Sequence, residues 1–183
     1  MKLDLSEVLS RVGARYPYDV DEPPIVDEDL ECATPIRGRL VFTNTGNVLL
    51  AMGAVETTVT LACCRCLEYF NLPLTVPIEE QFALQRRPGV ARGRVQHTVV
   101  EDDENPDAAK LFDGPLFDLT ELLRQGIWLG LPLSPLHDES CAGLCARCGA
   151  NLNLGACACP TEPAAGPFGA LAQLLEPAKT EGA

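Results

Sequence analysis

Apolar and polar positions alternate with a period of two through much of the first half of the chain, and a helical spacing takes over near residue 118. Ile36 to Thr43 reads as one strand, and Thr43-Asn44-Thr45-Gly46-Asn47 has the turn chemistry to reverse it. The next extended run ends in a clean alternation. Val55, Thr57, Val59 and Leu61 share one face, and Glu56, Thr58 and Thr60 share the other. After Cys63-Cys64-Arg65-Cys66, a further strand puts Phe70, Leu72, Leu74, Val76 and Ile78 on one side. Pro73 and Pro77 on its other side cannot donate to a ladder and confine it to a sheet edge. The cysteines therefore belong at the tip of a β-hairpin.

Elsewhere the pattern changes. Leu5, Val8, Leu9 and Val12 predict a short helix over Asp4 to Val12. The acidic run Asp19, Asp21, Glu22, Asp27, Glu28, Asp29 and Glu31, broken by Pro17, Pro23 and Pro24, reads as an extended, solvated segment. Arg86 to Asp107 reads as a long loop opened by Arg86, Arg87, Arg92 and Arg94 and continued by Glu101-Asp102-Asp103-Glu104. A helix starts at Asp118, its cap, with Glu121 completing a capping box. Leu119, Leu122, Leu123 and Ile127 form its core stripe, and Pro132 ends it. The expected fold is α+β: an antiparallel meander with this helix packed on it, plus a C-terminal zinc-ribbon-like module. The expected divisions are an N-terminal helix and acidic segment over 1–30, a sheet-plus-helix core over 31–135, a cysteine-rich module over 136–160, and a linker with a short helix or tail over 161–183. Phe168 to Leu175 is the candidate for that last helix.

Composition narrows the function. The chain has 183 residues, 46% of them hydrophobic, and a net charge of −12. That charge repels nucleic acid and anionic membranes at long range and attracts basic proteins. The first residues offer no signal-peptide core, and the longest apolar stretches, Val48 to Val55 and Ile127 to Leu133, fall far short of the roughly 20 residues that span a bilayer. A cytoplasmic location and no membrane partner are expected. The nine cysteines then lie in a reducing compartment, where clustered thiols signify metal or redox chemistry more often than disulfides.

Cys145-Ala-Arg-Cys148-Gly149 has the spacing of a zinc knuckle, in which two thiolates face one ion at about 2.3 Å. Gly149 permits the backbone to curl with positive φ. Cys157-Ala-Cys159 supplies a second pair after a turn rich in Asn and Gly. Four bystander thiols are the alternative, but clustered exposed thiols invite oxidation. A closed four-ligand set makes the zinc structural. Cys63 and Cys66 form another knuckle with two ligands, and His137 and Cys141 complete a second set if the hairpin tip packs beside them. The alternatives are a redox pair or a turn without metal at Cys63/Cys66, a surface role for His137, and Cys141 replacing one of the four C-terminal ligands. Cys64 is expected to point away from the metal, and Cys32 to be a plain small residue. There is no P-loop, Rossmann fingerprint, nucleophile elbow or H-E-x-x-H, and histidine is limited to His97 and His137. No enzyme is expected.

At these residues the chain resembles the YceD family, bacterial and plastid proteins linked to accumulation of large-subunit (23S) ribosomal RNA. The resemblance rests on Val59-Thr60-Leu61-Ala62-Cys63-Cys64-Arg65-Cys66-Leu67, on Asp118-Leu119, and on Leu129-Gly130-Leu131-Pro132-Leu133. Its most specific stretch is Cys141-Ala-Gly-Leu-Cys145-Ala-Arg-Cys148-Gly149-Ala-Asn151-Leu152-Asn153 followed by Cys157-Ala-Cys159. It covers roughly residues 30 to 175. Many members carry Cys where this chain has His137, which suits a metal-ligand exchange.

The resemblance implies a non-enzymatic factor in synthesis, processing or stability of that RNA and in large-subunit assembly. Arg86, Arg87, Arg92 and Arg94 form the one dense basic patch and are the candidate RNA contacts. The charge of −12 favours docking on a basic ribosomal protein, or on a pre-ribosomal large subunit through one. Two other classes stand beside it: a thiol-disulfide oxidoreductase using Cys63 and Cys66, and a zinc-dependent adaptor. Against the oxidoreductase, no βαβ pattern sets that pair at a helix N-terminus, where a thiolate is stabilised.

Overall fold

The computed structural model of the chain describes residues 1–86, 97–100 and 108–159. In order, its elements are β1 (Lys2–Asp4), α1 (Ser6–Ser10), β2 (Arg15–Glu22), β3 (Ile36–Asn44), β4 (Val48–Ala62), β5 (Tyr69–Arg86) and β6 (His97–Val99). A 3-10 turn (Ala108–Leu111), β7 (Phe112–Asp113), β8 (Leu116–Asp118) and α2 (Leu119–Gly130) follow. These described elements are mostly antiparallel β-structure with few helices. The five-stranded sheet runs β2-β3-β4-β5-β6, a meander in chain order, and a three-stranded sheet runs β1-β8-β7.

The long strands form where the alternation is cleanest. In β4, Leu49, Ala51, Val55, Thr57 and Val59 are buried and share one parity. Gly53 interrupts that row because β3 comes too close for a side chain: a Cβ there would lie 2.0 Å from the Arg39 carbonyl oxygen. Between Tyr69 and Ala83, β5 pairs with β4 alone, and β6 joins its other side only at Leu84 to Arg86. Pro73 and Pro77 thus lie on the free edge that their missing N–H groups require.

Helix α2 buries Leu119, Leu122, Leu123 and Ile127. The Asp118 carboxylate accepts the Glu121 N–H at 3.2 Å, which caps the first turn. Glu121 does not close the expected capping box. Its carboxylate takes Arg124 Nε and Nη2 at 2.8 and 2.7 Å and Gln125 Nε2 at 2.8 Å instead, all charge-assisted bonds one turn away. The helix start is already tied to the N-terminus, with Leu119 N–H donating to the Met1 carbonyl.

The two sheets share a single main core. Phe117 of β8 lies edge-on to Phe42 and Phe82, with ring centroids 5.4 and 5.6 Å apart, and is tilted against Phe112 at 4.8 Å.

Residues 19–31 depart from the expected solvated segment. β2 pairs with β3 along its whole length, from Arg15 opposite Thr43 to Glu22 opposite Ile36. Val20, Leu30 and Cys32 are buried. Pro17 is tolerated because β2 is the sheet's outer strand. Glu22 is buried, whereas Asp19 and Asp21 turn outward to face Arg39 and Arg37 across the strands at 3.5 and 3.0 Å. Asp27 holds a tight turn by accepting the N–H groups of Asp29 and Leu30. The first helix is also shorter than expected: Lys2–Asp4 is strand β1, and Val12 is exposed. The long loop contains β6. Arg86 ends β5, whereas Arg87, Arg92, Arg94, Glu101–Glu104 and the C-terminal helix expected at Phe168–Leu175 lie outside the described residues.

Phe117→Ala removes a fully buried ring that joins both sheets, and should cost about 3–5 kcal/mol in urea unfolding. Lys2→Ala removes only an exposed ion pair to Asp113 and should stay within about 0.5 kcal/mol. Equal effects would contradict this picture of the core.

Candidate metal centres

Strands β4 and β5 end in a tight turn. Leu67 N–H donates to the Cys63 carbonyl and Cys63 N–H to the Glu68 carbonyl, both at 2.9 Å. Leu67 takes φ 63°, the only positive φ among the described non-glycine residues, so the turn is held in a conformation that a β-carbon disfavours. The chain leaving α2 passes over this tip. Cys64 N–H donates to the Pro135 carbonyl at 2.9 Å. Arg65 Nη1 donates to the carbonyls of Glu139 and Cys141 at 3.1 and 2.9 Å. Asp138 accepts the Ser140 N–H on its carboxylate at 2.7 Å and the Cys141 N–H on its carbonyl at 3.1 Å, curling the loop back.

These contacts bring Cys63, Cys66, His137 and Cys141 together, with one ligand atom from each inside a 4.8 Å span. Cys63, Cys66 and Cys141 are buried and form a second small core with Phe70, Leu136 and Leu144. The spacing is informative. Cys63 Sγ and Cys141 Sγ are 3.8 Å apart, far beyond the roughly 2.05 Å of a disulfide. Two thiolates at about 2.3 Å from one tetrahedral ion lie about 3.8 Å apart. Cys66 Sγ and His137 Nδ1 are 3.4 Å apart, close to the edge of the same tetrahedron.

The second cluster is Cys145, Cys148, Cys157 and Cys159, again within 4.8 Å. Cys145 N–H donates to the Ala150 carbonyl and Gly149 N–H to the Cys145 carbonyl, at 2.8 and 2.9 Å, and Gly149 has the expected positive φ of 71°. The cluster is more exposed than the first, and Cys148 faces solvent. Both sets match the groupings expected from spacing, with Cys141 in the hairpin set rather than replacing a C-terminal ligand. All nine cysteines are free thiols. Cys64 is exposed, and Cys32 is buried in the main core, where desolvation raises its pKa.

Each set splits its protons unevenly. Burial opposes ionisation of Cys63, but hydrogen bonds from His137 and from the backbone of Cys66 and Arg65 prevail and lower it to about 5. Burial and hydrogen bonding with Cys63 and Cys141 push Cys66 up to about 11. Backbone N–H groups of Cys148 and Arg147 lower Cys145 to about 6, while hydrogen bonding with Cys148, then burial, raises Cys159 to about 12. One thiolate per cluster thus forms early, at Cys63 and at Cys145, while Cys66 and Cys159 keep their protons longest of the four.

Sequence reasoning passed over three supporting residues: Arg65, Asp138 and Asn153. Arg65 had a signal, since both knuckles read Cys-x-Arg-Cys. Asn153 donates from Nδ2 to Cys141 Sγ at 3.4 Å, a contact between the turn of one cluster and a ligand of the other that spacing alone does not reveal. The Cys63/Cys66 turn lies between strands and not at a helix N-terminus, which is one of the settings that stabilise a redox thiolate.

With both clusters assembled, comparison with known proteins becomes decisive. The family model for the large ribosomal RNA subunit accumulation protein YceD matches residues 51–175. The chain belongs to the YceD family. The match runs from near the start of β4 through every ligand of both clusters, and begins later than the resemblance seen near residue 30. Over 91% of its length the chain is 28% identical to the large ribosomal RNA subunit accumulation protein YCED homolog 1, chloroplastic, of Arabidopsis thaliana, covering 54% of that protein. It is also 28% identical to the Zea mays homolog of the same name, over 69% of the chain and 49% of the relative. The chain therefore spans about half the length of these relatives. No solved structure matches it significantly. Among the described residues no helix is long and apolar enough to cross a membrane.

Metal binding must displace the protons that these clusters hold. At pH 7, Cys63 and Cys145 are already ionised, whereas Cys66 and Cys159 are protonated. Loading the metal-free chain with zinc at pH 7 should release at least those two protons, and affinity should rise with pH. Cys145 also competes below about pH 6 and Cys63 below about pH 5, so binding weakens further. Calorimetry in two buffers of different ionisation enthalpy counts the protons; zero release would contradict the assignment.

Proposed function

We propose that this chain is a non-enzymatic factor promoting synthesis, processing or stability of large-subunit ribosomal RNA, with two structural zinc ions holding its C-terminal module on the sheet. The observation that carries it is the family match, whose span includes both ligand sets entire. The family name, and the names of the two chloroplastic relatives, tie the process to large ribosomal RNA accumulation.

Zinc is supported by the donors. Three thiolates and an imidazole, or four thiolates, at tetrahedral spacing are the ligand sets of structural zinc sites, and no coordination position stays open for substrate. The C-terminal stretch around Leu144 to Cys159 has one isolated β-bridge and no buried residue in the main core, so metal supplies the cohesion that apolar packing does not. A zinc-ribbon-like module docked on an antiparallel sheet is the architecture this favours.

Charge guides the choice of partner. Asp19 and Asp21 are engaged by Arg39 and Arg37, so the acidic surface of the first run narrows to Glu28, Asp29 and Glu31, all exposed. With a net charge of −12, this surface suits a basic ribosomal protein, or a pre-ribosomal large subunit reached through one, better than bare RNA.

Two experiments test the proposal. The purified chain should hold two zinc ions, and Cys63→Ser or His137→Ala should each remove one while leaving the other. A single zinc that survives both substitutions ends the hairpin site. In cells lacking the protein, mature large subunit should fall relative to small. A variant with Arg86, Arg87, Arg92 and Arg94 replaced should largely restore it, and one with Glu28, Asp29, Glu31 and Glu101–Glu104 neutralised should restore it poorly. The reverse outcome would replace docking on a basic protein with direct RNA contact.

A further inference from the structure

We propose that Asn153 couples the two metal centres, so that filling one tightens metal binding at the other. The inference rests on the metal reading above and assigns the coupling to one side chain.

Asn153 belongs by position to the second cluster, in the turn between Cys148 and Cys157. Its side chain serves the first. Nδ2 donates to Cys141 Sγ at 3.4 Å, and Oδ1 accepts the Ala142 N–H at 2.8 Å, so the amide grips the ligand and the residue after it. The amide is itself held in place: Nδ2 also donates to Asn151 Oδ1 at 2.8 Å, and the same oxygen accepts the Asn153 N–H at 2.9 Å. Asn151 forms the β-bridge to Leu144, whose N–H donates to the Arg65 carbonyl on the hairpin tip at 3.1 Å. Leu152 N–H closes the loop on the Gly143 carbonyl at 2.9 Å.

Three thiolates around one divalent ion leave a net negative charge in a buried site, and an N–H donor on a ligand sulfur offsets part of it. Such outer contacts typically carry about 10- to 100-fold in metal affinity. The donor is in register only when the turn from Cys148 to Cys157 is folded, and a metal in the second cluster folds that turn. Conversely, a metal on Cys141 fixes Ala142 to Leu144, the residues that lead directly into Cys145. Linkage makes the two effects equal in size.

Cobalt(II) titration of the metal-free full chain tests this, because sets with three sulfurs and one nitrogen differ in visible spectrum from sets with four sulfurs. In the wild type, cobalt affinity at the hairpin set should be about tenfold higher than in a Cys145→Ser/Cys148→Ser variant. The four-sulfur set should gain equally over a Cys63→Ser variant. Asn153→Ala should lower hairpin-set affinity about tenfold and abolish both gains, with the intrinsic affinity of the four-sulfur set retained as evidence that the module still folds. Asn153→Asp keeps the acceptor for Ala142 N–H but replaces the donor with a negative charge, and should bind at least as weakly as the alanine variant. Unchanged hairpin affinity in either variant, or gains that persist without Asn153, would overturn the coupling while leaving both metal sites standing. A wild-type chain that binds no cobalt at either set would overturn the metal reading and the coupling with it.

Discussion

The β4–β5 hairpin outruns the core that it covers, and the rest of the C-terminal structure follows from how its tip is held. Phe42, Phe82 and Phe117 pack the sheets near the middle of the molecule. At the far end, Cys63, Cys66 and Cys141 are buried with only Phe70, Leu136 and Leu144 around them. So few apolar side chains cannot hold a fifteen-residue and an eighteen-residue strand to a crossing loop. On the proposed reading, a metal held by three sulfurs and one imidazole nitrogen supplies what the packing lacks. Arg65, clamping the carbonyls of Glu139 and Cys141, and Asp138, curling the loop, bring the last ligands into place.

A second consequence concerns the order of dependence along the chain. The hairpin tip positions Cys141, Cys141 leads into Leu144 and Cys145, and the turn beyond Cys148 returns Asn153 to Cys141. The two clusters form one connected unit at the tip of the β4–β5 hairpin. A surface built this way takes its shape from contacts between its loops, because its residues have little core of their own.

The parts of this arrangement legible in the sequence were those with a long repeat or a fixed spacing. Alternation over β4 and β5, the stripe of α2 and the paired cysteines each repeat a physical rule often enough to be counted. Strand β2 was obscured by its acidic and proline residues, although Tyr16, Tyr18, Val20 and Glu22 do share a parity and face inward to differing degrees. Asp19 and Asp21 look like a solvated run until Arg39 and Arg37 are set opposite them by the register. Strands β1 and β8 have three residues each, too few for any period, and pair across more than a hundred residues of chain. Asn153 was hidden for the same reason: nothing local marks an amide whose partner belongs to the other cluster.

The central claim is that seven sulfurs and one imidazole nitrogen form two closed tetrahedral sets. X-ray absorption at the zinc edge of the protein purified from its native source measures that donor set directly. The account predicts an average first shell of three and a half sulfurs at about 2.3 Å and half a nitrogen at about 2.0–2.1 Å per zinc. A shell of sulfur alone would exclude His137 and the hairpin set. A shell dominated by oxygen, or no zinc edge at all, would contradict the account at its base.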